Sequence, residues 1–114
     1  MVAIKFVPQR GDIVHCHFDE PPTGHEQGFA RYAIVLSPSE YNKSTGLCIV
    51  APISSKEKGY PFEVPVRIGK IHGVILADQI KSIDYLARQV RTRVARANAS
   101  VIEQLQDKLF VLLQ

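Results

Sequence analysis

Apolar and polar positions alternate through RGDIVHCHF, residues 10–18, with Val14, Cys16 and Phe18 on one face and Ile13, His15 and His17 on the other. That period of two reads as a strand opened by a glycine turn. DEPPTGHEQGF follows as a long polar loop, stiffened by Pro21-Pro22 and released at Gly24 and Gly28. Residues 31–36 form a second apolar strand ended by Pro38, and PSEYNKSTG is a short helical turn capped by Ser39 with its exit at Gly46. LCIVAPI, residues 47–53, is a buried strand that Pro52 bends or confines to an edge. Beyond a second polar loop, SSKEKGYP, the segments FEVPV and GVILADQI supply two more strands, turned through RIGKIH. QVRTRV alternates again, with Arg91 and Arg93 opposite Val90, Thr92 and Val94. Ile102, Leu105, Leu109 and Leu112 then recur at helical spacing, so 99–113 is a helix capped by Asn98 or Ser100, the latter at capping-box spacing from Glu103. Five or six short strands with one C-terminal helix imply a small, mostly antiparallel barrel or curled sheet that the helix partly covers.

At 114 residues the chain has room for one core and reads as a single domain, 1–114. The net charge of +3 permits an anionic partner without demanding one. Two cysteines without CxxC spacing make no disulfide framework, which favours a reducing, cytoplasmic setting. The first residues lack the apolar stretch of a signal peptide, and no run of 18 apolar residues offers a membrane span.

Several residues carry candidate chemistry, each with a plainer alternative. His15 and His17 share a strand face and are two potential zinc ligands, but no third ligand has a recognisable spacing, so surface histidines around a buried cysteine are the better account and no metal is expected. Cys16 points the other way, which makes a Cys–His nucleophile pair geometrically poor. His25 and Glu26 are able to transfer protons, yet solvated loops commonly hold such residues. Arg31, at the mouth of a strand, is either a snorkelling edge residue or a fixed donor for a carboxylate or phosphate. Ser54 and Ser55 follow the Pro52 bend and place a hydroxyl there, or are ordinary turn residues. Asp78 lies in an apolar strand, where a carboxylate is costly unless paired. The run from Arg88 to Arg96 is a solvated face or a nucleic-acid backbone track. Tyr32, Tyr60 and Phe29 adjoin the polar loops and are placed to stack on bases.

In order, the blocks RGDIV, GHEQGFAR, AIVLSP, APISSKEKGYPFEV and GVILADQIKSID resemble the MazF/PemK toxins of bacterial toxin–antitoxin modules, from about Pro8 to the chain end and nearer the MazF branch. The resemblance implies a small SH3-like barrel of the plasmid-maintenance-toxin type, mostly β with a C-terminal helix. It also implies a homodimer, a metal-free endoribonuclease (mRNA interferase) acting on single-stranded RNA, no cofactor, and inhibition by a cognate antitoxin. Carried over by residue, Arg31 matches the catalytic arginine and Ser54 falls where the family has a catalytic threonine. His25, Glu26 and Asp78 match acid/base or substrate-orienting positions, and the choice among them stays open. Lys56, Lys58, Tyr32, Gln79, Arg91 and Arg93 are the expected RNA contacts. The branch with an arginine two positions before the aspartate has Leu76 here instead.

Three features depart from the family pattern. Tyr32 replaces the usual proline after the arginine, which frees a backbone N–H and unlocks φ. Ser54 keeps a hydroxyl but loses the methyl that restricts χ1. The Pro21-Pro22 loop is a residue longer. Two other readings remain open at this point: a gyrase-binding toxin of the same fold, and a non-cleaving RNA-binding module.

Overall fold

The computed structural model describes residues 6–18 and 30–114. Among the described residues there are seven strands: β1 (Asp12–His17), β2 (Ala30–Val35), β3 (Leu47–Ser54), β4 (Glu63–Ile68), β5 (Ile71–Leu76), β6 (Lys81–Asp84) and β7 (Arg93–Arg96). Helix α1 (Ser39–Thr45) joins β2 to β3, a single 3₁₀ turn covers Ala77–Gln79, and helix α2 (Ala99–Leu112) ends the chain. The antiparallel sheet runs β4-β5-β3-β2-β1-β7, with β6 alongside the first half of β3. The fold is therefore mostly β, a curled half-barrel with a C-terminal helix.

Strand alternation sorts the apolar residues into two cores. Ile13, Ile34, Ala51, Ile53, Val64 and Ile75 face one side and pack with Leu105 of α2. Val14, Cys16, Ala33, Val35, Cys48 and Val50 face the other, where Ile83, Tyr85 and Val90 cover them. Leu105 is fully buried, as its place in the helical stripe predicts, whereas Leu112 of the same stripe is exposed. Burial pushes the thiols of Cys16 and Cys48 up to about 12. At Cys16, Arg88 and then Lys81 oppose that rise; at Cys48 the neighbouring Cys16 adds to it.

Two polar anchors hold the sheet's closure. Asp12, 1% exposed, accepts from Arg96 Nη1 at 2.7 Å and from the Gln9 N–H at 2.9 Å, tying β1 to β7. The Asn42 side chain, wholly buried, donates to the Pro8 carbonyl at 2.8 Å and the Ser37 carbonyl at 3.1 Å and accepts from Ser37 Oγ at 2.6 Å. Tyr85 Oη donates to the Asn42 carbonyl at 3.0 Å.

Several local expectations change. Seven strands replace five or six. Pro52 is in the middle of the sheet, opposite Ala33, because β3 hands over there from β6 (last pair Val50–Lys81) to β5 (first pair Ile53–Ile75). The Leu36 N–H donates to the Ile49 carbonyl, so odd-numbered β3 residues turn their backbone groups toward β2. The N–H that Pro52 lacks would point into the handover gap, so no ladder bond is lost. Pro38, not Ser39, occupies the N-cap of α1, while Gly46 ends it in the left-handed conformation (φ 74°). The β4–β5 turn is only Gly69-Lys70, since Arg67–His72 and Ile68–Ile71 already pair. The Asn98 side chain caps α2 by accepting from the Val101 N–H at 3.0 Å; Ser100 bonds Gln104 instead of serving a capping box. Tyr85–Val90 is a turn closed by the Val90 N–H to the Tyr85 carbonyl, so β7 starts only at Arg93 and the alternation through 89–94 breaks: Val90 is buried and Val94 exposed.

Candidate active site

The second face of the sheet opens, beyond its apolar part, into a cavity of about 340 Å³ lined by Ser54, Lys56, Lys58, Tyr60, Phe62, Glu63, Leu76, Asp78 and Gln79. Ser54 closes β3 and is 7% exposed. Its Oγ accepts from the Lys56 N–H at 3.1 Å, which occupies one lone pair and leaves the hydroxyl hydrogen for a ligand. Arg31 is on the neighbouring strand β2. The β2–β3 register pairs Val35 with Val50, Ile34 with Ala51 and Ala33 with Pro52, and so ends two residues short of Arg31 on β2 and of Ser54 on β3. Arg31 is half-buried and pairs with Cys16 on its other side. Alternation along each strand from the Ala33–Pro52 pair puts Arg31 and Ser54 on the same face of the sheet.

The polar loop that walls the cavity is pinned at several points. Both carboxylate oxygens of Glu63, a residue 8% exposed, accept backbone N–H groups: Lys58 at 3.2 Å and Gly59 at 3.0 Å. Gly59 takes φ 78°, a conformation glycine reaches without strain. The Lys108 ammonium of α2 donates to the Pro61 carbonyl. Tyr60, half-exposed, and Phe62 lie with ring centroids 5.3 Å apart. The loop thereby presents two lysines and an aromatic ring from a fixed backbone.

The expected site residues divide by location. Ser54, Lys56, Lys58, Asp78 and Gln79 come together around the cavity; Arg31 is on β2, the strand next to β3, and does not line it. Asp78 is not in a buried strand: it stands exposed on the 3₁₀ turn, so its carboxylate escapes the expected desolvation cost. Tyr32 is on the other face of β2 from Arg31, 39% exposed and edge-on to His15 with ring centroids 5.4 Å apart. Arg91 and Arg93 belong to the far edge beside β1, where Arg93 is 3.9 Å from Asp12. His25 and Glu26 lie outside the described residues. His15 and His17 meet edge to face at 5.9 Å, and among the described residues no three His, Cys, Asp or Glu side chains gather as a metal would require.

Two contributors escaped the sequence reading. Glu63 organises the loop, and its signal was an acid inside the apolar run FEVPV, directly after a glycine-containing loop. Lys81 holds its ammonium 5.6 Å from the centre of the Phe18 ring. Nothing in the QIKSID block alone points that lysine across the sheet.

With this geometry in place, comparison with known proteins is decisive. The sequence profile of the PemK-like, MazF-like toxins of type II toxin–antitoxin systems matches residues 9–113. The chain belongs to this family. The endoribonuclease toxin MazF of Escherichia coli K12 is 40% identical over 109 residues, 96% of each chain. Crystalline MazF from Deinococcus radiodurans superposes with a TM-score of 0.88 at 43% identity, covering 96% of this chain and 98% of that one. A chain of the MazE–MazF crystal structure from the same organism gives 0.83 at 43% identity, covering 96% and 97%. The curled sheet and terminal helix are thus the MazF fold, and no helix among the described residues is long and apolar enough to cross a membrane.

Proposed function

We propose that this MazF-type endoribonuclease toxin cleaves single-stranded RNA at short specific sequences without a metal ion, and that a cognate antitoxin inhibits it. The observation that carries the reading is the convergence of Ser54, Lys56, Lys58, Asp78 and Gln79 on one cavity, with Arg31 on the strand next to β3. RNA brings its own nucleophile. The 2′-OH attacks the adjacent phosphorus, the 5′-oxygen leaves, and the products carry a 2′,3′-cyclic phosphate and a 5′-OH. The protein has to align the attack, move two protons and stabilise charge on the phosphorane.

Arg31 supplies charge-assisted hydrogen bonds that strengthen as the phosphate oxygens gain charge. Its role is electrostatic. Ser54, with one lone pair held by the Lys56 N–H, donates its hydrogen to the same phosphate. Glu26 or His25 takes the 2′-OH proton, and Asp78 orients Arg31 or is itself that base. Lys56 and Lys58 neutralise flanking phosphates, and Tyr60 offers a ring face to a base. Single strands fit because the bases must be unstacked to be read. An extended acidic antitoxin segment satisfies the same lysines and arginine. A second copy of the chain is the natural cover for the apolar end of α2, where Phe110, Val111 and Leu113 are mostly exposed beside a groove formed with Pro61 and Phe62.

The test is incubation of a long single-stranded RNA with purified, antitoxin-free protein in excess EDTA, alongside Arg31→Ala and Ser54→Ala, with the protein's mass in solution measured on the same preparation. Discrete fragments with 5′-OH ends are expected, with a rate loss of about 10²–10³ for Arg31→Ala and the same or less for Ser54→Ala. Folded protein that leaves every RNA intact overturns the ribonuclease reading, cleavage abolished by EDTA removes metal independence, and a monomer removes the dimer.

A further inference from the structure

Gly73 of β5 occupies a position that space, not backbone conformation, reserves for glycine. It is absent from the residues with positive φ. A methyl group placed on it would stand 3.0 Å from the Ser54 carbonyl carbon and 3.4 Å from the Ser55 Cα, and would overlap the Ser54 carbonyl oxygen. The end of β3 therefore lies against the bare Cα of Gly73, where any other residue would hold a side chain. The backbone orientation along β3 agrees: even-numbered residues turn their carbonyls toward β5 at this end, and Ser54 pairs with Val74.

We propose that Gly73 is a positioning residue for catalysis, setting the Ser54 hydroxyl against the scissile phosphate by letting the Ser54-Ser55 backbone close onto β5. This rests on the proposed role of Ser54. The obstruction involves backbone atoms on both sides, so no rotamer change relieves it. The end of β3 has to move away, and the hydroxyl moves with it. The cavity residues on β5 and the 3₁₀ turn, Leu76, Asp78 and Gln79, stay on the other side of that displacement. A misplacement of about 1 Å at a reacting centre costs on the order of 10²-fold in rate. Substrate affinity is carried mainly by Lys58 and the base contacts, which lie beyond the displaced segment, so it changes far less than the rate.

The experiment is a double-mutant cycle on the full chain with Gly73→Ala and Ser54→Ala, reading kcat and KM on one RNA and confirming folding by circular dichroism. Gly73→Ala is expected to lower kcat by about 10²-fold with KM within about 2-fold. The double variant is expected to be no slower than Ser54→Ala alone within about 3-fold, because the displaced group is already gone. Rate losses that multiply, or a Gly73→Ala chain of full activity, overturn the proposal. Full activity of Ser54→Ala marks a failure of the Ser54 reading itself, separately visible in that single variant. Should Gly73→Ala not fold, proton NMR of the unsubstituted chain decides. One Gly73 Hα held against the Ser54 carbonyl is expected well downfield of the other, as a Cα–H···O contact requires; two equivalent resonances overturn the proposal.

Discussion

The surroundings of Asn42 and of Ser54 both gather polar side chains on a small β scaffold, and they use them in opposite ways. Around Asn42 both amide hydrogens and the carbonyl oxygen are engaged, at 2.6 to 3.1 Å, by the nearby Ser37 and the distant Pro8. Ser37 Oγ adds a bond from the Ile49 N–H at 2.9 Å. Such a network is closed, and its capacity goes into fixing where the N-terminal segment, α1 and β3 meet. Around Ser54 the backbone is satisfied while the lysine ammonium groups, the Asp78 carboxylate and the serine hydrogen face a cavity. Saturated polar groups specify the fold; polar groups held rigidly but left with capacity await a ligand.

Substitutions should separate the two regions. Asn42→Ala leaves the Pro8 and Ser37 carbonyls and the Ser37 hydroxyl without their buried partner, and the expected cost is about 3 kcal/mol of unfolding free energy. Chemical denaturation measures it, and RNA turnover of the remaining folded protein should be unchanged. A large turnover loss at full stability would break the distinction. Glu63→Gln is the converse case. It keeps the shape but weakens two charge-assisted bonds to the loop, so turnover is expected to fall about 10-fold, roughly 1.4 kcal/mol, with a stability change below about 1 kcal/mol. Unchanged turnover with lost stability would assign Glu63 to the structural group.

The effect that is silent at neutral pH belongs to the second core. Its two thiols ionise at about 12 when folded and near 9 when exposed. Over that interval the unfolded chain has released protons that the folded chain still holds. The thiols' contribution is therefore complete below pH 9 and is lost as pH rises toward 12, by at most about 1.4 kcal/mol per thiol for each pH unit. Melting temperature against pH should fall more steeply above 9 for the parent chain than for Cys48→Ala, and equal slopes would contradict the burial argument.

Which parts could be read in advance follows the same division. Period-two alternation located β1, the continuous apolar run ahead of Pro38 located β2, and the leucine stripe located α2, because burial leaves its pattern on the residues. The family blocks brought Ser54, Lys56, Lys58, Asp78 and Gln79 to attention, and the fold gathers them. Pro52 misled because its effect depends on which neighbour its nitrogen faces, a property of the whole sheet and not of the strand. Asp78 misled because the apolar run before it gives no sign that the strand stops at Leu76. Val94 misled because the Tyr85–Val90 turn resets the alternation, with Gln89 at φ 63°. Gly73 carried no local signal, since the chain that crosses it comes from β3.

The clasp between Asp12 and Arg96 spans 84 residues of sequence, and that separation bears on when a toxin becomes dangerous to the cell that makes it. A ribosome emits β1 early and β7 nearly last, so the half-barrel stays open at one edge through most of synthesis. The residues of the cavity have all emerged before the strand that shuts the sheet. Closure waits on residues 93–96, and the interval before it belongs to whatever else in the cell can meet an unfinished chain.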